Sequence, residues 1–277
     1  MSIIGSILGD IAGSQVEFGA WEGFDYRCSP LFSEKCKITD DTVMTLATKY
    51  ALQNRIPFYK AYQLFGRKYA DVGYGGLFRR WINSDKPVPY SSYGNGSAMR
   101  VSPVIDYSGS IIECREFAYW SAVCTHNHPE GLKGAVAIAE LNWMATNKAS
   151  KKDIYRVAKM YYPQSLYHTN KSLEWHRENH VWNATCPGVI PLAICCIMES
   201  NSYEEFIRNV LSVRCDADTV CAIGGSIAEE LFGGTGFNNN AILREYLDDY
   251  QMSILNEKPN KYISNSDKYY IFKYEEN

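Results

Sequence analysis

The chain has 277 residues, 46% hydrophobic and 21% charged, an ordinary globular composition that suffices for one large core or two small ones. Its 28 basic and 31 acidic residues leave a net charge of −3, without the basic excess of a nucleic-acid binder or a polybasic stretch for an anionic membrane. No apolar run approaches the roughly 18 residues of a membrane span. Nine cysteines with no C-x-x-C spacing and no secretory leader predict free thiols in a reducing cytoplasm.

The first predicted helix covers residues 3 to 18 and carries Gly5, Gly9 and Gly13 at every fourth position. Glycine costs about 1 kcal/mol against alanine inside a helix, so a glycine stripe implies another backbone packed very close to it. After an aromatic and charged loop over 19 to 38, a helix follows Asp41, with Val43, Met44, Leu46, Ala47, Tyr50 and Ala51 on its apolar face. Another covers about 59 to 70. The stretch from Gly73 to Pro103 is polar and glycine-rich, and Pro87 and Pro89 exclude a long helix there. An irregular region of that length inside a domain points to function, and its Trp81, Tyr90 and Tyr93 argue against disorder.

Helical patterns resume near 113–124, 130–146, 151–161, 187–199, 203–213, 219–232 and 240–253. The segment Lys268 to Tyr274 reads as a strand or an extended arm. The expected architecture is all-α: one compact multi-helix domain over 1–255 with a C-terminal extension over 256–277. Trp120, Trp143, Trp175 and Trp182 are expected in core or groove packing.

Two acidic clusters stand at the front of apolar helical runs: Thr39-Asp40-Asp41-Thr42 and Asp216-Ala217-Asp218-Thr219. Either alone reads as a helix start, because Asp and Thr are favoured N-caps and anions complement the positive helix end. Two matching clusters suggest more. Carboxylates and hydroxyls are hard oxygen ligands for Mg²⁺ or Mn²⁺, and four converging aspartates repel one another unless cations neutralise them.

Further motifs accompany them: Gly9-Asp10-x-x-Gly13-Ser14-x-x-Glu17-Phe18, Tyr93-Gly94-Asn95-Gly96-Ser97-Ala98-Met99-Arg100, and His126-Asn127-His128-Pro129-Glu130-Gly131. In this order, over about residues 1 to 235, the series resembles the ADP-ribosylglycohydrolase family, related to the dinitrogenase-reductase-activating glycohydrolases. The resemblance implies an all-α fold with two Mg²⁺ or Mn²⁺ ions in a central cleft. It implies metal ligands at Thr39, Asp40, Asp41, Asp216, Asp218 and Thr219, and a catalytic carboxylate at Glu17 beside Asp41 and Asp216. Asn95, Gly96, Ser97 and Met99 match the loop lining the ADP-ribose cleft, and His126 a position beside the ribose and phosphate. The implied partners are an ADP-ribosylated protein or small molecule and ADP-ribose as product, with arginine the first linkage and neither nucleic acid nor membrane expected.

The chemistry is coherent with those residues. Cleavage at the anomeric carbon of a ribose builds oxocarbenium-like charge. Divalent ions grip ribose hydroxyls and sharpen a water into a nucleophile, and a carboxylate must move a proton. Which of Glu17 and the aspartates is acid and which is base stays open. Backbone amides from Gly94 to Ser97 suit a diphosphate, and Tyr93 or Phe18 a stacked ring. Where the family commonly has two glycines before the second cluster, this chain has Arg214-Cys215, and Ala217 replaces a frequent Thr or Ser. Cys215 reads as a buried inert thiol.

Bland alternatives exist for the histidines. His126-x-His128 is spaced like a zinc pair, yet Pro129 and Glu130 mark a helix start, favouring a structural or substrate-contact role. His176 and His180 at i, i+4 have no third ligand in the sequence and read as a solvated face. Two other functions fit less well: a non-catalytic ADP-ribose-binding relative, and a dinuclear metallohydrolase for another phosphate or glycoside.

Overall fold

In the computed structural model, which describes residues 3–17, 23–260 and 263–272, the regular elements of the described chain are all helices. Chain order runs α1 (Ile3–Ser14), α2 (Asp40–Asn54), α3 (Phe58–Lys68), α4 (Gly76–Ile82), α5 (Gly96–Met99), α6 (Val104–Tyr107), α7 (Ile111–Val123) and α8 (Pro129–Thr146). It continues with α9 (Lys151–Tyr161), α10 (Leu173–Asn179), α11 (Cys186–Met198), α12 (Tyr203–Leu211), α13 (Ala217–Phe232), α14 (Asn239–Tyr246), α15 (Asp249–Asn256) and α16 (Asn265–Phe272). Among the described residues the only β pairing is an isolated antiparallel bridge between Gly94 and Thr185.

α1 and α13 are the central pair, and the glycine stripe explains why. A methyl group on Gly5 would lie 2.3 Å from the Gly225 carbonyl oxygen, one on Gly9 2.3 Å from that of Cys221, and one on Gly13 2.5 Å from the Asp218 backbone nitrogen. The helices therefore touch backbone to backbone along most of α1. Other helices wrap this pair, joined by one continuous apolar core that includes Ile7, Leu8, Val43, Phe65, Phe117, Ile190 and Phe206. No helix among the described residues is long and apolar enough to cross a membrane.

Three expectations need correcting. The single helix expected over 240–253 is two helices, because Leu247 is extended and Asp248 opens α15 with a capping box completed by Gln251. The irregular region from 73 to 103 contains the short helices α4 and α5, while the proline-bearing stretch between them stays non-helical. The tail read as strand or arm is helical over Asn265–Phe272. There Phe272 stacks on Trp120 with ring centroids 5.2 Å apart, and Lys268 pairs with Glu113 at 2.5 Å. Docking on α7, rather than local β propensity, sets its conformation.

Candidate functional site

The site forms where the N-termini of α2 and α13 meet the middle of α1. Asp10, buried in α1, reaches across to the start of α2. One of its oxygens accepts from the backbone N–H of Thr39 (3.0 Å) and Thr42 (3.1 Å), and the other from the Thr39 hydroxyl (2.7 Å). A side chain of α1 thus satisfies amides that begin α2. Thr39 has a single hydroxyl proton, and the 2.7 Å contact to Asp10 claims it ahead of the 3.3 Å contact to Asp41 Oδ2. Asp41 Oδ2 accepts from the Thr219 hydroxyl of α13 at 3.2 Å, which ties the two acidic clusters together.

Two groups of carboxylates result. One ligand oxygen each from Asp10, Asp41 and Asp218, and likewise from Glu17, Asp216 and Asp218, lie within 4.8 Å of one another, with Asp218 shared. Burial pushes Asp41 and Asp218 well above the usual carboxylate range; the charge of Asp218 raises Asp41 further, and those of Asp216 and Glu17 raise Asp218. Burial also raises Asp10 and Asp216. Glu17 is pushed up to about 7, first by burial and then by the Asp216 charge, with Lys37 opposing. Asp40 is likewise pushed up to about 7, by burial and then by Asp10.

Only Glu17 among these acids has a cation, Lys37, opposing its upward shift. Asp41 Oδ1 and Asp218 Oδ1 are buried with no hydrogen-bond partner, a costly arrangement for carboxylate oxygens unless something cationic meets them. Buried, converging and partly unpartnered oxygen donors fit hard divalent cations.

Beside the carboxylates opens a cavity of 420 Å³. Glu17, Asp40, Asp216, Asp218 and Thr219 line it from the acidic side, and Asn95, Gly96, Met99 and His126 from the other. Asp40 faces this cavity but belongs to neither three-carboxylate group. Thr39 and Asp41 lie deeper, both fully buried.

The loop before α5 has divided duties. Asn95 donates through Nδ2 to Asp216 Oδ2 at 2.7 Å, so it holds a carboxylate as well as lining the cavity. Ser97 turns away: its hydroxyl donates to the Gly131 carbonyl at 2.8 Å and packs α5 on α8. The Gly94 and Asn95 amides are taken by the Ser92 hydroxyl and the Ala184 carbonyl. A side chain on Gly96 would lie 3.1 Å from His126 Nε2, so glycine keeps that approach open. Tyr93 packs on His128 rather than on the cavity wall, with centroids 5.0 Å apart. Phe18 lies outside the described residues.

His126 and His128 do separate work. His126 shares a 2.7 Å hydrogen bond with the Thr125 hydroxyl, and burial with the nearby Arg100 charge pushes it well below its usual range, leaving a neutral ring on the wall. His128 accepts from the Glu130 amide at 3.1 Å as the N-cap of α8. Cys215 is buried, and burial raises its thiol well above normal, as an inert thiol requires.

Asp10 and Arg100 belong to the motifs, and only the fold gives them roles. Arg100 is 1% exposed, sits on the cavity wall, and stacks over the Tyr62 ring at 4.1 Å. It donates to the Ser121 carbonyl and the Thr125 hydroxyl, each at 2.8 Å, with no acidic partner among the described residues.

A family model described as ADP-ribosylglycohydrolase matches residues 1–249. A solved structure called "ADP-ribosylglycohydrolase-related protein complex" is similar over 91% of this chain and 92% of its own, with a TM-score of 0.68 and 21% identity. At that identity the likeness speaks for the fold. No curated protein matches the chain.

Proposed function

The chain belongs to the ADP-ribosylglycohydrolase family, and on that premise we propose that it hydrolyses the bond between ADP-ribose and an arginine side chain of a modified protein. The family supports a hydrolase acting on ADP-ribosylated substrates; the arginine linkage rests on family analogy alone. The observation that carries the reading is the pair of carboxylate groups sharing Asp218, with unpartnered oxygens on Asp41 and Asp218.

Asp41, Asp216 and Asp218 would hold two Mg²⁺ or Mn²⁺ ions, with Asp10, Thr39, Asp40 and Thr219 around them. Bound there, the cations would supply positive charge that grips ribose hydroxyls and acidifies a water. Glu17, half-buried on the cavity wall beside Asp216 and Asp218, would move the proton of that water or of the leaving group. Asn95 holds Asp216 through its amide, and neutral His126 with the first turn of α5 would face the ribose and diphosphate. Nine free cysteines suit a reducing cytoplasm.

The test is direct. Arginine- and serine-ADP-ribosylated peptides are incubated with the protein, with Mg²⁺ or with a chelator, and free ADP-ribose is measured. Release from the arginine peptide that needs the cation and disappears in Asp218→Ala supports the reading. Full turnover in chelator and in that variant overturns the metal assignment, and cleavage of the serine peptide alone overturns the linkage.

A further inference from the structure

A second cavity of 420 Å³ lies between α10 and the segment 181–185. The chain has five histidines, and three of them, His168, His176 and His180, line this one cavity. His176 is 2% exposed rather than solvated, which corrects the surface reading of the i, i+4 pair. The third imidazole comes from the loop after α9, thirty or so ångströms of chain away at full extension but folded back onto α10. His168 packs on Trp175 with centroids 4.7 Å apart, and Trp175 sits edge-on to His176 at 5.2 Å.

Neither ring nitrogen of His176 makes a hydrogen bond of ordinary geometry, and His180 Nε2 is also buried without a partner. A buried imidazole left unpaired is unfavourable, because its desolvation is not offset by a hydrogen bond. Burial first, then the neighbouring His180, pushes His176 down to about 4, with the His168 backbone opposing; burial and His168 lower His180 too. The rings are therefore neutral at physiological pH and keep lone pairs for coordination. Two imidazoles on one zinc, at about 2.0–2.1 Å per bond, place their ring centres roughly 5–6 Å apart. His176 and His180 are 6.0 Å apart. Among the described residues no carboxylate or thiol lines the cavity, so its donors suit a borderline ion and not Mg²⁺.

We propose that His168, His176 and His180 form a second metal site, separate from the carboxylate centre, that takes one divalent cation of the Zn²⁺ class. The three imidazole nitrogens do not all lie within 4.8 Å of one another as they stand, so the exposed His168 must turn its side chain inward to complete the site. Its location is telling: Val181, Asn183 and Thr185 face this cavity, whereas Trp182 and Ala184 between them face the carboxylate cavity. The ion binds behind the wall of the cleft.

The full-length protein is titrated with Zn²⁺ in excess Mg²⁺, and with Co²⁺ read by its visible spectrum, beside His168→Ala and His180→Ala. His168 is exposed and His180 partly exposed, and circular dichroism checks that the variants fold. The expected result is one Zn²⁺ per chain, an affinity at least about tenfold weaker in each variant, and an intense tetrahedral Co²⁺ band that the variants lose. No saturable Zn²⁺ uptake, or uptake that neither substitution changes, overturns the site. ADP-ribose release plays no part in the readout, so the outcome is independent of the hydrolase reading.

Discussion

Gly9 of α1 and Cys221 of α13 meet backbone to backbone, so close that a methyl group on Gly9 would lie 2.3 Å from the Cys221 carbonyl oxygen. That contact sets the site. Asp10 follows Gly9 in α1 and Asp218 opens α13, so the distance between these carboxylates is fixed by how deeply the helices embed in each other. Glycines that look costly in a helix are what let the acidic clusters converge.

Gly9→Ala therefore forces the two helices apart, because a carbonyl oxygen cannot rotate out of the way as a side chain end can. The expected loss is about 1–3 kcal/mol of stability, read from the midpoint of urea unfolding. Gly75→Ala is the control: nothing lies within 4 Å of its added carbon, and its φ of −57° suits any residue. A Gly9→Ala midpoint indistinguishable from that control would contradict the close helix contact.

Asn95→Ala tests whether Asp216 needs its amide partner. The 2.7 Å bond from Nδ2 fixes the carboxylate's orientation and opposes the upward push of burial on Asp216. Partners that orient a ligand typically contribute 10–100-fold in metal affinity or activity. Manganese titration followed by paramagnetic resonance should show a loss in about that range. Unchanged Mn²⁺ affinity would mean Asp216 orients itself.

Local signals carried much of this design. The glycine spacing announced the embedded first helix, and the paired Asp-Thr clusters marked the helix starts that meet at the site. What stayed hidden depends on contacts across long stretches of chain. Nothing local says that Asp10 will cap a helix starting thirty residues later, or that Asn95 will bond Asp216. His168 illustrates the same limit: without the fold, His176 and His180 lack a third imidazole and read as surface. The tail misled for the opposite reason. Its tyrosines and Ile271 have β character, but Ile271 is buried and Phe272 packs on α7 as part of a helix.

Glu17 supplies a titration test. In the metal-free protein its carboxyl is pushed up to about 7, chiefly by burial and by the neighbouring Asp216 charge. A cation placed among these carboxylates favours the ionised form and must lower that value. Carbon-13 NMR of the glutamate carboxyls should show two resonances titrating near 7 in chelator, those of Glu17 and Glu229, and the one missing in Glu17→Gln should move to lower pH on Mg²⁺ addition. The same variant should lose about 10²–10⁴-fold in turnover, the range for a positioned proton-transfer group. A titration that Mg²⁺ leaves in place would separate Glu17 from the cation site.

Glu229 gives the clearest pH linkage, away from the Asp10, Asp41, Asp216 and Asp218 carboxylates. It is 8% exposed on α13 and accepts from the Gly5 amide of α1 at 2.7 Å. Burial pushes its carboxyl from 4.5 up to about 7, the Gly5 bond only partly opposing. Below pH about 4.5 the group is protonated in folded and unfolded chains alike, and it costs nothing. As pH rises through that value the unfolded chain gives up its proton while the folded one holds on, so folding stability falls until pH about 7. A shift of this size corresponds to about 3 kcal/mol in total. Glu229→Gln keeps an acceptor for Gly5 but cannot ionise. Urea unfolding of both proteins should therefore give similar stabilities at pH 4.5 and a more stable variant at pH 8, by up to about 3 kcal/mol. Comparing the two proteins at each pH cancels the opposite trend from buried histidines such as His176, whose lowered value favours the folded state as pH rises. A gap that does not widen with pH would mean that Glu229 is ionised in the native protein, and that the Gly5 amide with the start of α1 stabilises its charge.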